Sequence, residues 1–506
     1  MNLHEIKAYL EKASASGIRP GLDRMRELMG RLGDPQDQYP VIHVAGTNGK
    51  GSTSAYMVSI LLCAGLKVGW YSSPAVVDDR EIIRIMDGSM YDFSAGDPDV
   101  FDKAMDEGYL PDETYEQIMT DIIETVEMMS SKNSEKPTVY ELETAGAFAA
   151  FEQEKVDVAV VEVGMGGKND ATNVIRNSLL SVITPIGLDH MQYLGSSVSL
   201  IAGEKAGIIP ERGRVVTYQP GVRMGVPMGS GEAADGDISP IKQREIARTK
   251  KRQERMRGMI VGRIRVEAED KNADFTEVHG ESVSIDKCDL SGIDFKIDGA
   301  SYHTRMIGEY QVYNAMLAVK SIEKLEQLIR DEGDGLAGVS DTWDASGLSD
   351  KILNAGDGYI ETGISLAKIP ARFDVISDDP IVIYDGAHNP DGVFVLAESI
   401  GRVLKDKKIY GVMGVFRDKA AEDMARTVVP FMSKITTVRA PGERGMEAEP
   451  LAAIISGAVP DVPVVSGGSD IEAVVREVTD EAKKEDAVVI IFGSLSMAKT
   501  VYDMHS

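Results

Sequence analysis

Cysteine is scarce in this chain: Cys63 and Cys288 are the only two in 506 residues, far apart and without metal-type spacing. A disulfide framework and a CxxC site are thereby excluded, and a reducing, cytoplasmic setting is expected. Positive charge is also short, with 54 Lys and Arg against 81 Asp and Glu, a formal net charge of −27. Binding to a nucleic-acid backbone needs dense Lys and Arg, so a general nucleic-acid partner is excluded. Local anion binding is not, because a helix N-terminus can hold an anion inside an acidic protein. No apolar run approaches the length of a membrane span, so no membrane partner is expected. Residues 1–14 (MNLHEIKAYLEKAS) read as an amphipathic helix without the apolar core of a signal peptide. The 50 glycines and 20 prolines are too few and too scattered for a collagen-like or low-complexity chain. What is present is 43% apolar residues, enough for packed cores, in a length that predicts roughly two to four domains. There is no internal repeat.

Short β-branched runs recur at 41–45 (VIHVA), 68–72 (VGWYS), 156–163 (VDVAVVEV), 181–186 (SVITPI) and 215–218 (VVTY). They return at 381–384 (IVIY), 409–415 (IYGVMGV), 435–439 (ITTVR) and 487–492 (AVVIIF). Near-continuous apolar strands belong to sheets covered on both faces, and helical patterns at 52–64 and 311–323 lie between them. This alternation predicts doubly wound α/β domains. A loop-like stretch, Ala367-Lys368-Ile369-Pro370, separates the two groups of strands, so a boundary is expected between 1–368 and 369–506. Two stretches read as insertions. Residues 87–115, acidic and dotted with aromatics, predict a surface excursion. The other is 219–257, where 219–239 is rich in Gly, Pro and Met and reads as a mobile loop. The basic helical run 242–257 is either a solvated face or an attractor of an anionic ligand.

The run at 41–45 passes directly into Gly46-Thr47-Asn48-Gly49-Lys50-Gly51-Ser52 and then a helix. Such a turn can aim backbone N–H groups and the positive helix end at a phosphate, its glycines permitting close approach. Lys50 would neutralise the β- and γ-phosphates, and Ser52 could reach an accompanying Mg²⁺. The fit to GxxxxGK[ST] is imperfect: Val44 stands at the first Gly position, and Gly51 separates Lys50 from Ser52. A plain strand-to-helix turn with an exposed lysine is the competing reading. Glu162 ends an apolar strand, the edge where α/β ligands bind, and a carboxylate is a typical Mg²⁺ ligand. His190 follows the 181–186 strand; histidine is an unusual Mg²⁺ ligand, so ligation and simple hydrogen bonding both stay open.

These residues sit in a larger pattern. HVAGTNGKGST (43–53), SSP (72–74), DREIIRI (79–85), VVEVGMGGKNDATNVI (160–175), ITPIGLDHMQYLG (183–195) and EKAGII (204–209) occur in this order. GEYQVYNA (308–315), PARFDVI (370–376), YDGAHNPDG (384–392) and FGSLS (492–496) follow. The chain resembles the folylpolyglutamate synthase/dihydrofolate synthase family of the Mur ligase superfamily, over its whole length apart from the two insertions. The resemblance implies an N-terminal P-loop-type ATPase domain with a mostly parallel sheet and a smaller C-terminal Rossmann-like α/β domain that ligates glutamate. It implies ATP and Mg²⁺ as cofactors and a folate or dihydropteroate plus L-glutamate as substrates, in an enzyme expected to be a monomer. Joining a carboxylate to an amine needs a better leaving group than hydroxide, hence an acyl phosphate, with cations to bring two anions together.

By resemblance, Ser73, Glu162 and His190 match metal-binding positions, and Lys205 matches a lysine that is carbamylated in relatives and able to hold a second Mg²⁺. Alone, Lys205 reads as an ordinary helix lysine. Asp385 would orient ATP, His388 would position phosphate or the incoming amino acid, and Asn314 would lie near adenine. Arg372 sits at the boundary, where a guanidinium reaches ATP only when the domains close. Lys50, His190, Lys205 and His388 are thus the catalytic candidates. Asp170, Thr172 and Asn173 either line the substrate cleft or form an Asx-turn cap. One departure stands out: Ala75 occupies the place of a family histidine, which touches the folate side. A Mur-type ligase acting on a cell-wall precursor and a non-catalytic nucleotide-binding protein are the alternative readings.

Overall fold

The apolar runs pair with one another into two large sheets. In the computed structural model all residues are described except 15, 16, 18, 131–134, 177, 221–239, 332–345 and 506, with backbone alone at 14, 130 and 240–250. The first sheet contains β1 (Val41–Ala45), β2 (Lys67–Tyr71), β3 (Ile83–Asp87), β4 (Val158–Glu162), β5 (Leu180–Ile183), β6 (Arg214–Tyr218) and β7 (Asp274–Val278). Its order is β3-β2-β4-β1-β5-β6-β7. Only the edge strand β3 runs antiparallel. An antiparallel sheet follows, β8 (Val283–Asp289), β9 (Gly292–Ile297) and β10 (Ala300–Thr304).

The third sheet is built from β11 (Asp374–Asp378), β12 (Ile381–Asp385), β13 (Lys408–Met413), β14 (Lys434–Thr437), β15 (Val464–Ser466) and β16 (Ala487–Phe492). Its order is β11-β12-β16-β13-β14-β15, parallel except for the edge strand β11. Every residue of β16 is buried, because separate apolar clusters cover the two faces of this sheet.

The helix after β1, Lys50–Cys63, is buried from Gly51 through Leu62. A helix apolar on all sides has to be enclosed. It runs beneath the first sheet, against the helices Glu309–Asp331 and Tyr359–Leu366. The second approaches so closely that a Cβ on Gly363 would lie 2.5 Å from the Ile60 Cα. The opposite face is covered by Val139–Gln153 together with Leu3–Ser14, Asp23–Leu32 and Asp112–Ser130. Each fully buried Leu, Ile or Met in these clusters is worth about 1.5–3 kcal/mol, so the helix start is rooted in a heavily stabilised layer.

The acidic stretch 87–115 is anchored to the body. Phe93 and Phe101 are buried in the main core, Phe101 on the helix Pro98–Glu107, and Arg305 Nη1 donates to Asp102 at 3.0 Å. The mobile-loop reading of 219–239 falls, beyond Gln219 and Pro220, outside the described residues. The basic run lies in the helix Pro240–Asp270. Its last residue, Arg257, donates to the Gln219 carbonyl at 3.0 Å and pairs with Glu277. Among the described residues no helix is long and apolar enough to cross a membrane.

Candidate active site

Because β1, β2, β4 and β5 are parallel neighbours, their C-terminal ends open on one edge of the first sheet. The C-terminal ends of β12 and β16 face that edge, and a cleft lies between them. It is lined by Gly46 through Ser52, Ser73, Glu162, His190, Lys205 and Asn314 from one side, and by Arg372, Asp385 and His388 from the other. The candidates named from sequence therefore share one cleft, with the crevice position that open α/β sheets reserve for ligands.

The turn after β1 is fixed by its surroundings. Thr47 N and Asn48 N both donate to the Pro185 carbonyl, at 3.0 and 3.1 Å. Thr184 Oγ1 donates to the Asn48 carbonyl at 2.8 Å. A Cβ on Gly46 would sit 1.7 Å from that Thr184 oxygen, so no side chain fits there. Gly49 has φ +84°, and a Cβ on it would meet Asn314 Oδ1 at 2.5 Å. Gly49 begins the helix without a side-chain cap, which leaves first-turn N–H groups free to meet a ligand. Asn314 thus buttresses the turn, its amide donating to Gln311 at 3.0 Å.

Lys50 Nζ lies 3.7 Å from Glu162 Oε1. Burial drives the Glu162 pKa up, and the charges of Lys50 and Arg372 oppose that rise. The Ser52 hydroxyl is buried and, among the described residues, has no hydrogen-bond partner, an orphan of the kind that a cation or phosphate would satisfy. Lys205, on the helix Val198–Ala206, is buried and donates to the Gly46 carbonyl at 2.7 Å. Burial, and then repulsion from Lys50, lowers its pKa to about 7. His190 occupies a left-handed turn (φ 49°) and is exposed at the cleft wall. Desolvation lowers its pKa, against the pull of Asp189. Among the described residues no three His, Cys, Asp or Glu side chains converge as a metal cluster. A Mg²⁺ here fits a site with one protein carboxylate, Glu162, a serine hydroxyl and oxygens from phosphate and water, the pattern usual for that ion.

Across the cleft, Asp385 Oδ2 accepts from Phe373 N and its Oδ1 from Ala387 N, both at 2.8 Å. Burial raises its pKa to about 6 despite Arg372. His388 Nδ1 is 2.8 Å from the Gly386 carbonyl, and desolvation lowers its pKa to about 4. Asn389 caps the helix Pro390–Val403, accepting from Gly392 N at 2.7 Å. Arg372 stands between two left-handed non-glycine residues, Ala371 (φ 59°) and Phe373 (φ 51°). Such conformations cost about 1–3 kcal/mol each and persist only where surrounding bonds enforce them.

A junction between the halves was not foreseen from sequence. Asp189 Oδ1 accepts from Lys419 Nζ at 3.2 Å, and its Oδ2 accepts from Asn389 Nδ2 at 3.2 Å and lies 3.8 Å from His388 Nε2. The Lys419 charge leads the attractions that hold the Asp189 carboxyl below its ordinary range, against burial. Asp189 and Asn389 lie inside motifs already noted, whereas nothing local marks Lys419. The loop 164–173 lines the cleft with Gly164, Met165 and Gly166, while its far end, 170–173, holds it in place. Asp170 accepts from Met165 N, Thr172 N, Thr172 Oγ1 and Tyr140 Oη, and Asn173 Nδ2 donates to the Lys168 carbonyl at 3.0 Å. Of the two readings of these residues, the Asx cap is the one observed.

The two α/β units face each other across one cleft, and in the second of them residues 371–495 match the family model described as "Mur ligase, glutamate ligase domain", which sets the class as that of the Mur ligases. Within that class, the chain belongs to the dihydrofolate synthase/folylpolyglutamate synthase family. It is 31% identical over 417 residues to the dihydrofolate synthase/folylpolyglutamate synthase of Bacillus subtilis (strain 168), covering 81% of this chain and 79% of that one. It is 30% identical over 441 residues to the enzyme of the same name from Mycobacterium tuberculosis, covering 86% and 77%. A solved structure of Mycobacterium tuberculosis folylpolyglutamate synthase complexed with ADP and AMPPCP superposes with a TM-score of 0.73 at 25% identity, covering 100% of this chain and 98% of that one.

Proposed function

We propose that this chain is an ATP-dependent ligase that joins L-glutamate to a folate, and to dihydropteroate, through an acyl phosphate. The observation that carries the reading is the uncapped helix start at Gly49–Lys50 beside a buried carboxylate, Glu162, with Arg372 and His388 facing it from the third sheet. The membership in the family supports the substrate class.

In this reading the backbone of residues 46–52 and Lys50 hold the β- and γ-phosphates of ATP. Glu162 and Ser73 hold Mg²⁺, and Ser52 offers its orphan hydroxyl to the same ion or to phosphate. Bound there, the ion supplies charge neutralisation between two anionic reactants. Arg372 steers the γ-phosphate from the opposite wall, so the cleft must be closed for transfer, which excludes water. The folate carboxylate accepts the phosphoryl group and becomes an acyl phosphate. The glutamate amine then attacks the acyl carbon, and phosphate leaves.

His388, neutral at physiological pH, keeps its Nδ1 on the Gly386 carbonyl and turns Nε2 to the cleft, where it orients the incoming amino acid. Lys205 with a neutral amine is the form that adds carbon dioxide, and a pKa near 7 suits the carbamate role assigned by resemblance, with His190 near enough to feel its charge. Residues 1–368 serve as the ATP-binding part and 369–506 as the glutamate-ligase part. One chain supplies every group named, so a monomer in the cytoplasm suffices.

A steady-state assay comparing dihydropteroate with tetrahydrofolate as acceptor tests the reading. ADP and phosphate release dependent on acceptor, with product heavier by one glutamyl unit in the mass spectrum, is the expected result. Nucleotide binding without turnover on either acceptor would overturn it.

A further inference from the structure

The segment that carries Arg372 is held from a place remote from the cleft. Ala371 and Phe373 flank the arginine in left-handed conformations, and three backbone polar groups of this pair need partners to stay so. The Phe373 N–H goes to Asp385, and the Ala371 carbonyl takes Gly386 N–H at 2.9 Å and Arg372 Nη1 at 2.9 Å. The Ala371 N–H donates to Tyr502 Oη at 2.7 Å. Tyr502 lies on the helix Ala498–Asp503, near the C-terminus, and does not line the cleft. Its phenol donates in turn to the Asp374 carboxylate, and its ring packs 5.9 Å from that of Tyr384 on β12.

A phenol has one proton. With that proton donated in the hydrogen bond to Asp374, the oxygen lone pairs face the Ala371 N–H, which the Asp374 carboxylate also attracts, so the orientation of this relay is fixed at both ends. Space fixes the arginine as well, since a Cβ on Gly386 would lie 2.7 Å from Arg372 Nη1. We propose that Tyr502, oriented by Asp374, is a positioning residue for Arg372: it pins the left-handed turn that aims the guanidinium into the cleft beside Glu162 and Asp385. The inference rests on reading Arg372 as a nucleotide-contacting group. It adds that the C-terminal helix sets the affinity of that contact.

Tyr502→Phe keeps the ring against Tyr384 and removes both hydrogen bonds. In the full-length enzyme we expect KM for ATP to rise about tenfold, the scale of one lost bond to a charged group, and kcat to fall. KM for folate and glutamate should stay unchanged. Tyr502→Phe placed on Arg372→Ala should add nothing, because the residue acts only through the arginine. Asp374→Asn, which leaves an acceptor for the phenol, should stay within about twofold of wild type, whereas Asp374→Ala should resemble Tyr502→Phe. If Arg372→Ala impairs ATP use while Tyr502→Phe matches wild type, or adds its full effect to that of Arg372→Ala, the positioning role is overturned and the nucleotide reading stands. If Arg372→Ala leaves ATP kinetics unchanged, the nucleotide reading itself falls and this inference with it.

Discussion

Two strand–turn–helix units face each other across the cleft, and they are finished in opposite ways. The unit at 41–63 leaves its helix start bare: Gly49 is the cap residue, with no side-chain hydrogen bond. The unit at 381–403 closes its own start, Asn389 accepting from Gly392 N, while Asp385 and His388 are tied to the backbone of their turn. A bare start keeps its first-turn N–H groups for an anion, whereas in the second unit Asn389 takes that of Gly392 and Pro390 has none to give. In the proposed reading the first turn is therefore a receptor that works chiefly through its backbone. The second is a rigid mount for side chains, and in the same reading its chemistry comes from Arg372 and His388. In the proposed reading, anion binding depends in one unit on bare backbone and the Lys50 side chain, and in the other on side chains whose exact neighbours are kept.

Lys50→Ala should give the largest break in this comparison. Removing the cation carried by the bare helix start itself is expected to cost about 10³-fold or more in kcat, on the scale of losing a preorganised charge-stabilising donor. Thermal stability should change little, because the lysine is rooted at a turn. Wild-type-like turnover with ATP and Mg²⁺ would reject the receptor role of the first turn.

Next comes a matched pair of glycines. Gly49→Ala forces a side chain into φ +84° and against Asn314, whereas a Cβ on Gly392 meets nothing closer than 3.2 Å. A displacement of the phosphate turn by about 1 Å can cost ~10²-fold in kcat/KM, so Gly49→Ala should fall by that order and Gly392→Ala by less than about twofold. Equal losses in the two variants would mean that the turns are built alike.

Much of this was legible in the residues, and what was not shares a physical cause. The apolar runs announced β1, β4, β12 and β16, because both their faces are buried. The edge strands β11 and β15 were missed, and their residues are only partly buried or exposed, so no continuous apolar signal marks them. The glycine pattern revealed the first turn, since steric exclusion is a local property. Lys419 and Tyr502 stayed invisible because their partners, Asp189 and Ala371, are 230 and 131 residues away in the chain. Burial likewise has no local signature: nothing about Lys205 in Glu204-Lys205-Ala206 foretells an amine with a pKa near 7.

The caps offer a smaller test. Asn389→Ala removes the helix cap and the bonds to Asp189 and Asn48, at an expected cost of about 1 kcal/mol for the cap. Asn389→Asp keeps the cap acceptor but sets a second carboxylate against Asp189. Melting curves should show the alanine variant less stable, and the aspartate variant should lose activity without losing the cap. A stable, fully active aspartate variant would show that the link to Asp189 carries no function.

The remaining test is one of pH, and it separates a histidine beneath the first turn from the one in the second. His43 on β1 is buried, and its Nε2 lies 2.8 Å from Thr172 Oγ1. That hydroxyl spends its proton on Asp170, so it accepts from His43, which fixes the neutral Nε2–H tautomer. Desolvation lowers the His43 pKa from 6.5 to about 3. Between those values the unfolded chain binds the proton and the folded chain does not, so stability falls as pH drops below about 6.5 and continues to fall toward 3. At pH 5 the loss amounts to about 2 kcal/mol relative to pH 7. His43→Gln retains a donor for Thr172 and cannot titrate, so its melting temperature should decline less than wild type between pH 7 and pH 5. His388 has its pKa lowered in the same direction, but its side chain is 35% exposed, and solvent screens it. His388→Gln should therefore alter the acid slope less than His43→Gln does, and a larger change at His388 would place the buried, rigid element in the second unit instead of the first.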